Sequence, residues 1–153
     1  MPVKSRSTAP KKKIDKPKLV LDSNVFISAV VFGGKPRDIL NLAIEGLIEM
    51  AISDDALEEI KGVFEGKKFQ FPTKIVHALM REIEDLAVFV EPKDRIEAIT
   101  DDPEDNRVLE CAVEAGSNVI ISGDSHSLAL GSFGKIKIMK PDEFLRRFRK
   151  KHA

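Results

Sequence analysis

The stretch LVLDSNVFISAV, residues 19–30, begins with three aliphatic residues and places the charged residue Asp22 directly behind them. A short aliphatic block is typical of a buried strand in a parallel sheet, and the apolar residues that follow recur at helical spacing. Asp22 therefore stands where a strand ends and a helix begins. It is either the N-cap of that helix or a member of a site, and this stretch alone leaves both readings open.

The rest of the chain alternates in the same way between short strand-like blocks and longer helical blocks. Strands are predicted at 18–22, 47–53, 87–92, 118–122 and 135–140, and helices at 24–31, 36–45, 53–64, 71–86, 103–115 and 142–148. This alternation predicts an α/β fold with a mostly parallel five-stranded sheet. Because the first and fourth strands are almost wholly aliphatic, we expect them at the centre of the sheet.

The net charge of zero conceals an acidic body between two basic ends. Residues 1–18 carry seven Lys/Arg against one Asp, residues 146–153 carry five Lys/Arg, and residues 19–145 carry 13 Lys/Arg against 24 Asp/Glu. We expect residues 1–17 to be a basic, disordered tail and residues 18–150 to form the domain. Basic clusters also favour polyanions, so the candidate nucleic-acid-binding residues are Lys11, Lys12, Lys13, Arg146, Arg147 and Arg149.

The lone Cys111 excludes an internal disulfide and indicates a reducing compartment, so we expect a cytoplasmic protein. No apolar run reaches the roughly 18 residues that a membrane span requires. The expected partners therefore do not include a membrane.

Four acids lie just past a predicted strand or early in the following helix: Asp22, Glu59, Asp105 and Asp124. Helix periodicity places Glu59 beside the apolar stripe of its helix, whereas Glu58 points nearly opposite. Each acid has an ordinary reading as a cap, a turn residue or a solvated flank, and we expect the loop residue His126 to face solvent. In parallel sheets, however, ligands bind beyond the carboxyl ends of the strands, where all four acids would meet.

Carboxylates gathered at one place repel one another, so a divalent cation is the natural compensation. Oxygen ligands without a Cys/His cluster favour Mg²⁺ or Mn²⁺ over Zn²⁺. The sequence therefore predicts a Mg²⁺ or Mn²⁺ site at that edge of the sheet.

At these four acids the sequence resembles the PIN-domain family, above all the toxins of bacterial and archaeal toxin–antitoxin pairs. The family's opening Asp-Ser/Thr-Asn/Ser signature is similar to DSN (Asp22 to Asn24), and its second acid to Glu59 in SDDALEEI. Its third acid is similar to Asp105 in DPEDN, and its fourth to Asp124 in SGD, where Ser122 stands in place of the frequent Thr. The match runs through most of residues 18–141.

The resemblance implies a three-layer α/β/α sandwich and metal-dependent cleavage of RNA phosphodiester bonds. It implies that Asp22, Asp105 and Asp124 hold the metal and that Glu59 orients water or a second ion. Asn24 and Ser122 would support these acids. It further implies a toxin role with a cognate antitoxin protein, and a homodimer; an RNA-processing nuclease outside such a pair is the alternative.

Two other classes of function compete with a nuclease. A receiver-type phosphotransfer domain needs an Asp after the third strand, where this chain offers Glu91, and a haloacid-dehalogenase-type phosphatase needs Asp-x-Asp, which Asn24 interrupts. A non-catalytic domain that binds RNA or a protein stays open, although all four acids are present.

Overall fold

The computed structural model describes residues 16–100 and 103–152. Their one sheet has six strands: β1 (Lys18–Leu21), β2 (Glu49–Ser53), β3 (Ala87–Val90), β4 (Val119–Ile121), β5 (Ser132–Phe133) and β6 (Ile136–Met139). The strand order is β3-β2-β1-β4-β6-β5, with β5 antiparallel to β6 and every other pair parallel. As predicted, the first and fourth strands lie at the centre.

Seven helices surround this sheet within the described residues: α1 (Ser23–Val31), α2 (Gly34–Ile44), α3 (Asp54–Glu65), α4 (Thr73–Leu86), α5 (Asn106–Ala115), α6 (Ser125–Leu130) and α7 (Pro141–Lys151). Alternate residues of β1 enter different cores. Leu19 and Leu21 pack with α1 to α4 and α7, whereas Val20 packs with α5 on the other face. The predicted three-layer α/β/α architecture is therefore confirmed.

The predicted strand count of five was wrong by one. The extra strand β5 has two residues and pairs with β6 across a turn at Gly134, whose φ of +59° suits a residue without a side chain. Two residues are too short to give a period-two pattern, so this antiparallel edge had no signal in the sequence.

The predicted helix 103–115 is divided. Pro103–Asp105 forms a short 3-10 turn, and α5 begins only at Asn106. The buried Asn106 side chain accepts from the Ile99 backbone N–H at 2.8 Å and donates to the carbonyl oxygens of Ile99 at 2.7 Å and Pro103 at 3.2 Å. These bonds fasten the irregular segment before the helix and tighten its first turn.

The predicted basic tail, including Lys11, Lys12 and Lys13, lies outside the described residues apart from Lys16 and Pro17. Among the described helices, none combines the length and apolar character needed to cross a membrane.

The carboxyl ends of β1, β2 and β4 define one edge of the sheet, which we call the carboxyl edge. Asp22 follows β1, α3 starts directly after β2, and Ser122 follows β4. Parallel pairing of β1 with both β2 and β4 brings these three strand ends side by side.

Candidate active site

Asp22 is both a helix cap and a member of a carboxylate cluster. Its Oδ1 accepts a hydrogen bond from the Val25 backbone N–H at 3.1 Å and so caps α1, while its Oδ2 accepts from the Ser122 hydroxyl at 2.5 Å. The two readings of the sequence are therefore compatible, because each uses a different oxygen.

Removal from water raises the pKa of Asp22 above its ordinary value of 3.8. Hydrogen bonds from Ser122 and Val25 act in the opposite direction, and the nearby charge of Asp124 raises the pKa further. The ionised form of Asp22 is therefore less favourable in the folded protein than in water.

Ser122 connects the ends of the two central strands. Its hydroxyl donates to Asp22 and accepts from the Asp124 backbone N–H at 3.0 Å, and the residue is only 1% exposed. Asp124 in turn caps α6, because its Oδ2 accepts from the Ser127 backbone N–H at 3.0 Å. A hydroxyl at position 122 thus holds two acids in fixed relation.

Asp105, Asp124 and His126 lie together beyond the carboxyl end of β4. Each presents one atom able to bind a metal, and these atoms all lie within 4.8 Å of one another. The Nδ1 atom of His126 is 3.6 Å from Oδ2 of Asp105, and the His126 side chain is 42% exposed. The expectation that His126 only faces solvent was incomplete, since one side of its ring faces the acids.

Burial by itself would raise the pKa of Asp124. The hydrogen bond from Ser127, the hydrogen bond shared with Asp105 and the neighbouring His126 outweigh that effect, so the pKa of Asp124 is lowered. Asp124 and Asp22 are therefore shifted in opposite directions although they lie in one cluster.

Glu59 joins the site through a residue to which the sequence reading gave no role. The Ser23 hydroxyl donates to Oε1 of Glu59 at 2.9 Å and thereby connects the start of α1 to α3. Ser23 is buried and Glu59 is exposed, so the hydroxyl anchors a carboxylate that still reaches solvent. The only hint in the sequence was the position of Ser23 within DSN.

The donor set fits a divalent cation. The carboxylates of Asp105 and Asp124 converge with the His126 imidazole, and Asp22 lies near enough to Asp124 for their charges to interact. A set dominated by carboxylate oxygen suits Mg²⁺ or Mn²⁺ better than metals that prefer sulfur or several imidazoles. The like charges are also the arrangement that a bound cation would stabilise most.

The remaining predicted site residues lie outside the group formed by Asp105, Asp124 and His126. The Asn24 side chain is exposed beside the cluster. Arg147 pairs with Glu143 on its own helix at 3.0 Å, and Arg149 lies 3.8 Å from Asp38. Arg149 shares a groove with Leu47, which precedes β2, so the end of α7 lies at the edge opposite the acids.

A family model described as PIN domain matches residues 18–126. The chain is also similar to Uncharacterized protein MJ1680 of Methanocaldococcus jannaschii, with 28% identity over 145 residues, which cover 87% of this chain and 92% of that protein. All four predicted acids lie within the residues that the family model matches.

Proposed function

Because the chain belongs to the PIN-domain family, whose members are generally nucleases, we propose that it is a Mg²⁺- or Mn²⁺-dependent ribonuclease that hydrolyses RNA phosphodiester bonds. The observation that carries this proposal is the convergence of Asp105, Asp124 and His126, with Asp22 near enough to Asp124 for their charges to interact. Like charges that lie close together repel one another and destabilise a fold, whereas a bound cation would offset that repulsion.

In this proposal Asp22, Asp105 and Asp124 would hold the cation. His126 would either bind the cation as well or lie next to it. A bound divalent cation supplies Lewis acidity, which activates water and stabilises negative charge on the phosphate. Ser122 keeps Asp22 oriented through its hydroxyl, so that the capping bond of the other oxygen does not turn the carboxylate away.

Glu59 orients the attacking water. Its Oε1 is occupied by the Ser23 hydroxyl, which leaves the other oxygen to accept a proton from water or to position it. Asn24, exposed next to Asp22, is available to contact the substrate rather than the other acids.

The test uses the purified full chain and single-stranded RNA of mixed sequence. We expect cleavage with Mg²⁺ or Mn²⁺, none with EDTA, and none for Asp124→Asn purified in parallel. Cleavage that persists in EDTA would contradict the metal role, and equal cleavage by Asp124→Asn would indicate a contaminating nuclease. Binding of RNA without cleavage under any of these conditions would favour the non-catalytic reading.

The resemblance to toxins supports a finer proposal: the protein is the cytoplasmic toxin of a toxin–antitoxin pair, and RNA contacts its basic ends. A neighbouring small gene with a DNA-binding pattern is expected, and its absence would favour an RNA-processing nuclease. Cleavage with an unchanged salt dependence after removal of residues 1–17 would exclude the tail from RNA binding.

A homodimer is the remaining part of the proposal. β3 is an edge strand, and its Val88 and Phe89 side chains are 60% and 50% exposed, which supplies an apolar contact surface. Light scattering should report twice the mass of one chain, and Phe89→Lys should reduce it to one; a monomeric wild type would contradict this part.

A further inference from the structure

A cavity of about 530 Å³ opens between β1, β2, α3 and α5, on the Glu59 side of the candidate active site. Ser23 and Glu59 line it, so it is continuous with the candidate active site. Its volume lies within the roughly 300–1,000 Å³ typical of small-molecule sites. The cavity is thus positioned to take a part of the substrate that adjoins the reacting phosphate.

The floor of this cavity is apolar. Val20, Ile52 and Cys111 are buried there, with Val108 beside them. Burial raises the pKa of the Cys111 thiol to about 12, so the thiol stays neutral and behaves as a small apolar group. Such a floor suits a flat, uncharged ring better than a phosphate.

One buried acid pairs with two arginines at the wall of the cavity and holds Arg107 closely. Glu110 accepts from the Ile96 backbone N–H at 2.9 Å and lies 3.0 Å from Arg107 Nη2 and 3.8 Å from Arg95 Nη1. The Nε atom of Arg107 is buried without a hydrogen-bond partner among the described residues. A fixed guanidinium group offers a face for base stacking and a donor for a ring acceptor.

Carboxylates outnumber the arginines around the cavity. Asp55, Glu58, Glu59 and Glu104 line it along with Arg95 and Arg107. The excess of negative charge disfavours a phosphate, while carboxylate oxygens readily accept hydrogen bonds from the amino group of a base. The lining therefore favours a neutral ring with an exocyclic amino group, whose two N–H donors exceed the single ring N–H that uracil offers.

We propose that this cavity binds one unstacked nucleobase bearing an exocyclic amino group, adjacent to the cleaved linkage; this inference rests on the proposed ribonuclease function. Cytosine, adenine and guanine present such a group, and uracil does not. Splayed single-stranded bases are the usual targets of sequence-selective RNA recognition. The cavity accordingly makes the enzyme disfavour uracil at one position next to the cut.

The test measures binding of free nucleosides in EDTA, where no cleavage is needed. Cytidine and adenosine should shift the methyl NMR signals of Val20 and Val108 while leaving those of Val113, an exposed residue of α5 outside the cavity lining, unchanged. Uridine should bind at least about tenfold more weakly. Shifts by uridine equal to those by cytidine, or no shift of the cavity methyls by any nucleoside, would overturn the proposal.

A pair of variants sharpens the result. Arg107→Gln should weaken cytidine binding about tenfold, whereas Arg37→Gln, which removes a similarly half-exposed arginine paired with Glu82 at 2.9 Å, should leave it unchanged. Equal affinities in all three proteins would contradict the role of Arg107. Should Arg107→Gln fail to fold, the comparison of cytidine with uridine on the wild type still decides.

Cleavage assays separate this inference from the function on which it rests. RNA cleavage without nucleoside binding in the cavity would leave the ribonuclease intact and overturn the subsite. Nucleoside binding without any RNA cleavage would support the base-binding cavity and contradict the ribonuclease function.

Discussion

Asp22 and Glu110 are both acids that are partly or fully buried, but Asp22 lies near a negative charge and Glu110 lies near two positive charges. Glu110 is 6% exposed and is satisfied by Arg107, Arg95 and a backbone N–H. Asp22 is half-buried and faces Asp124, and its pKa is raised. Glu110 is therefore a buried charge that the fold pairs with opposite charges, whereas Asp22 lies next to a like charge at the carboxyl edge.

The two regions should respond differently when an acid is removed. Loss of Asp22 should remove activity without weakening the metal-free fold, because charge repulsion is relieved. Loss of Glu110 should weaken the fold, because the arginines would lose their partner and the 91–100 segment one of its attachments. The predictions below test that division.

The largest effect is expected for the acids that lie around the candidate metal position. Asp105→Asn and Asp124→Asn should each reduce the rate of RNA cleavage in Mn²⁺ by about 1,000-fold or more. His126→Ala should lose only about tenfold, because an outer or flanking group contributes less than a ligand. Initial rates on one RNA substrate measure all three, and a His126→Ala variant as inactive as the Asp variants would move the centre of the site to the imidazole.

The next effect separates two glutamates on α3. Glu59→Gln should reduce cleavage about 100-fold, since the carboxylate anchored by Ser23 would no longer take a proton from water. Glu65→Gln, at an exposed position at the end of the same helix, serves as the matched control and should change the cleavage rate by less than about threefold. Equal losses would contradict the role of the Ser23 contact.

Glu110→Gln should act on stability. Neutralising an acid that is bonded to two arginines should lower the free energy of unfolding by about 2 kcal/mol, and Mn²⁺ should stabilise this variant as much as the wild type. Urea unfolding with and without Mn²⁺ measures both quantities. A variant as stable as the wild type would show that the ion pairs around Glu110 are dispensable.

The central position of the first and fourth strands could be predicted because aliphatic runs report burial directly. Leu19, Val20 and Leu21 are each at most 3% exposed, as a strand covered on both faces must be. The two-residue β5 and the six-residue α6 were missed because neither is long enough to show a period.

The site was predictable only in part, for a related reason. Asp22 and Asp124 follow aliphatic strands, so their place at the carboxyl edge follows from topology. The Ser23–Glu59 bond joins residues 36 positions apart, and the Asn106 bonds depend on the path of an irregular segment. Local patterns carry no information about such pairs, and for the same reason Ser23 was given no role.

The most direct measurement is the melting temperature of Asp22→Asn, in EDTA and in Mn²⁺. Asn caps a helix nearly as well as Asp, so relief of repulsion should dominate and raise the melting temperature in EDTA by about 2–4 °C, equivalent to about 1 kcal/mol. The surface control Glu97→Gln, at an exposed position outside the helices and strands, should show no such rise.

The dependence on pH has a definite sign. Because the pKa of Asp22 is raised in the folded state, its ionised form disfavours folding at neutral pH and its protonated form does not. The advantage of Asp22→Asn in EDTA should therefore shrink as the pH falls through that raised pKa towards 3.8.

In Mn²⁺ at a hundredfold excess over the dissociation constant, the wild type should gain about 2.7 kcal/mol and Asp22→Asn should gain little. Asp22→Asn should therefore melt higher than the wild type in EDTA, melt lower than the wild type in Mn²⁺, and cut no RNA. A variant that melts lower than the wild type in EDTA and still gains the full increment from Mn²⁺ would make Asp22 a helix cap alone.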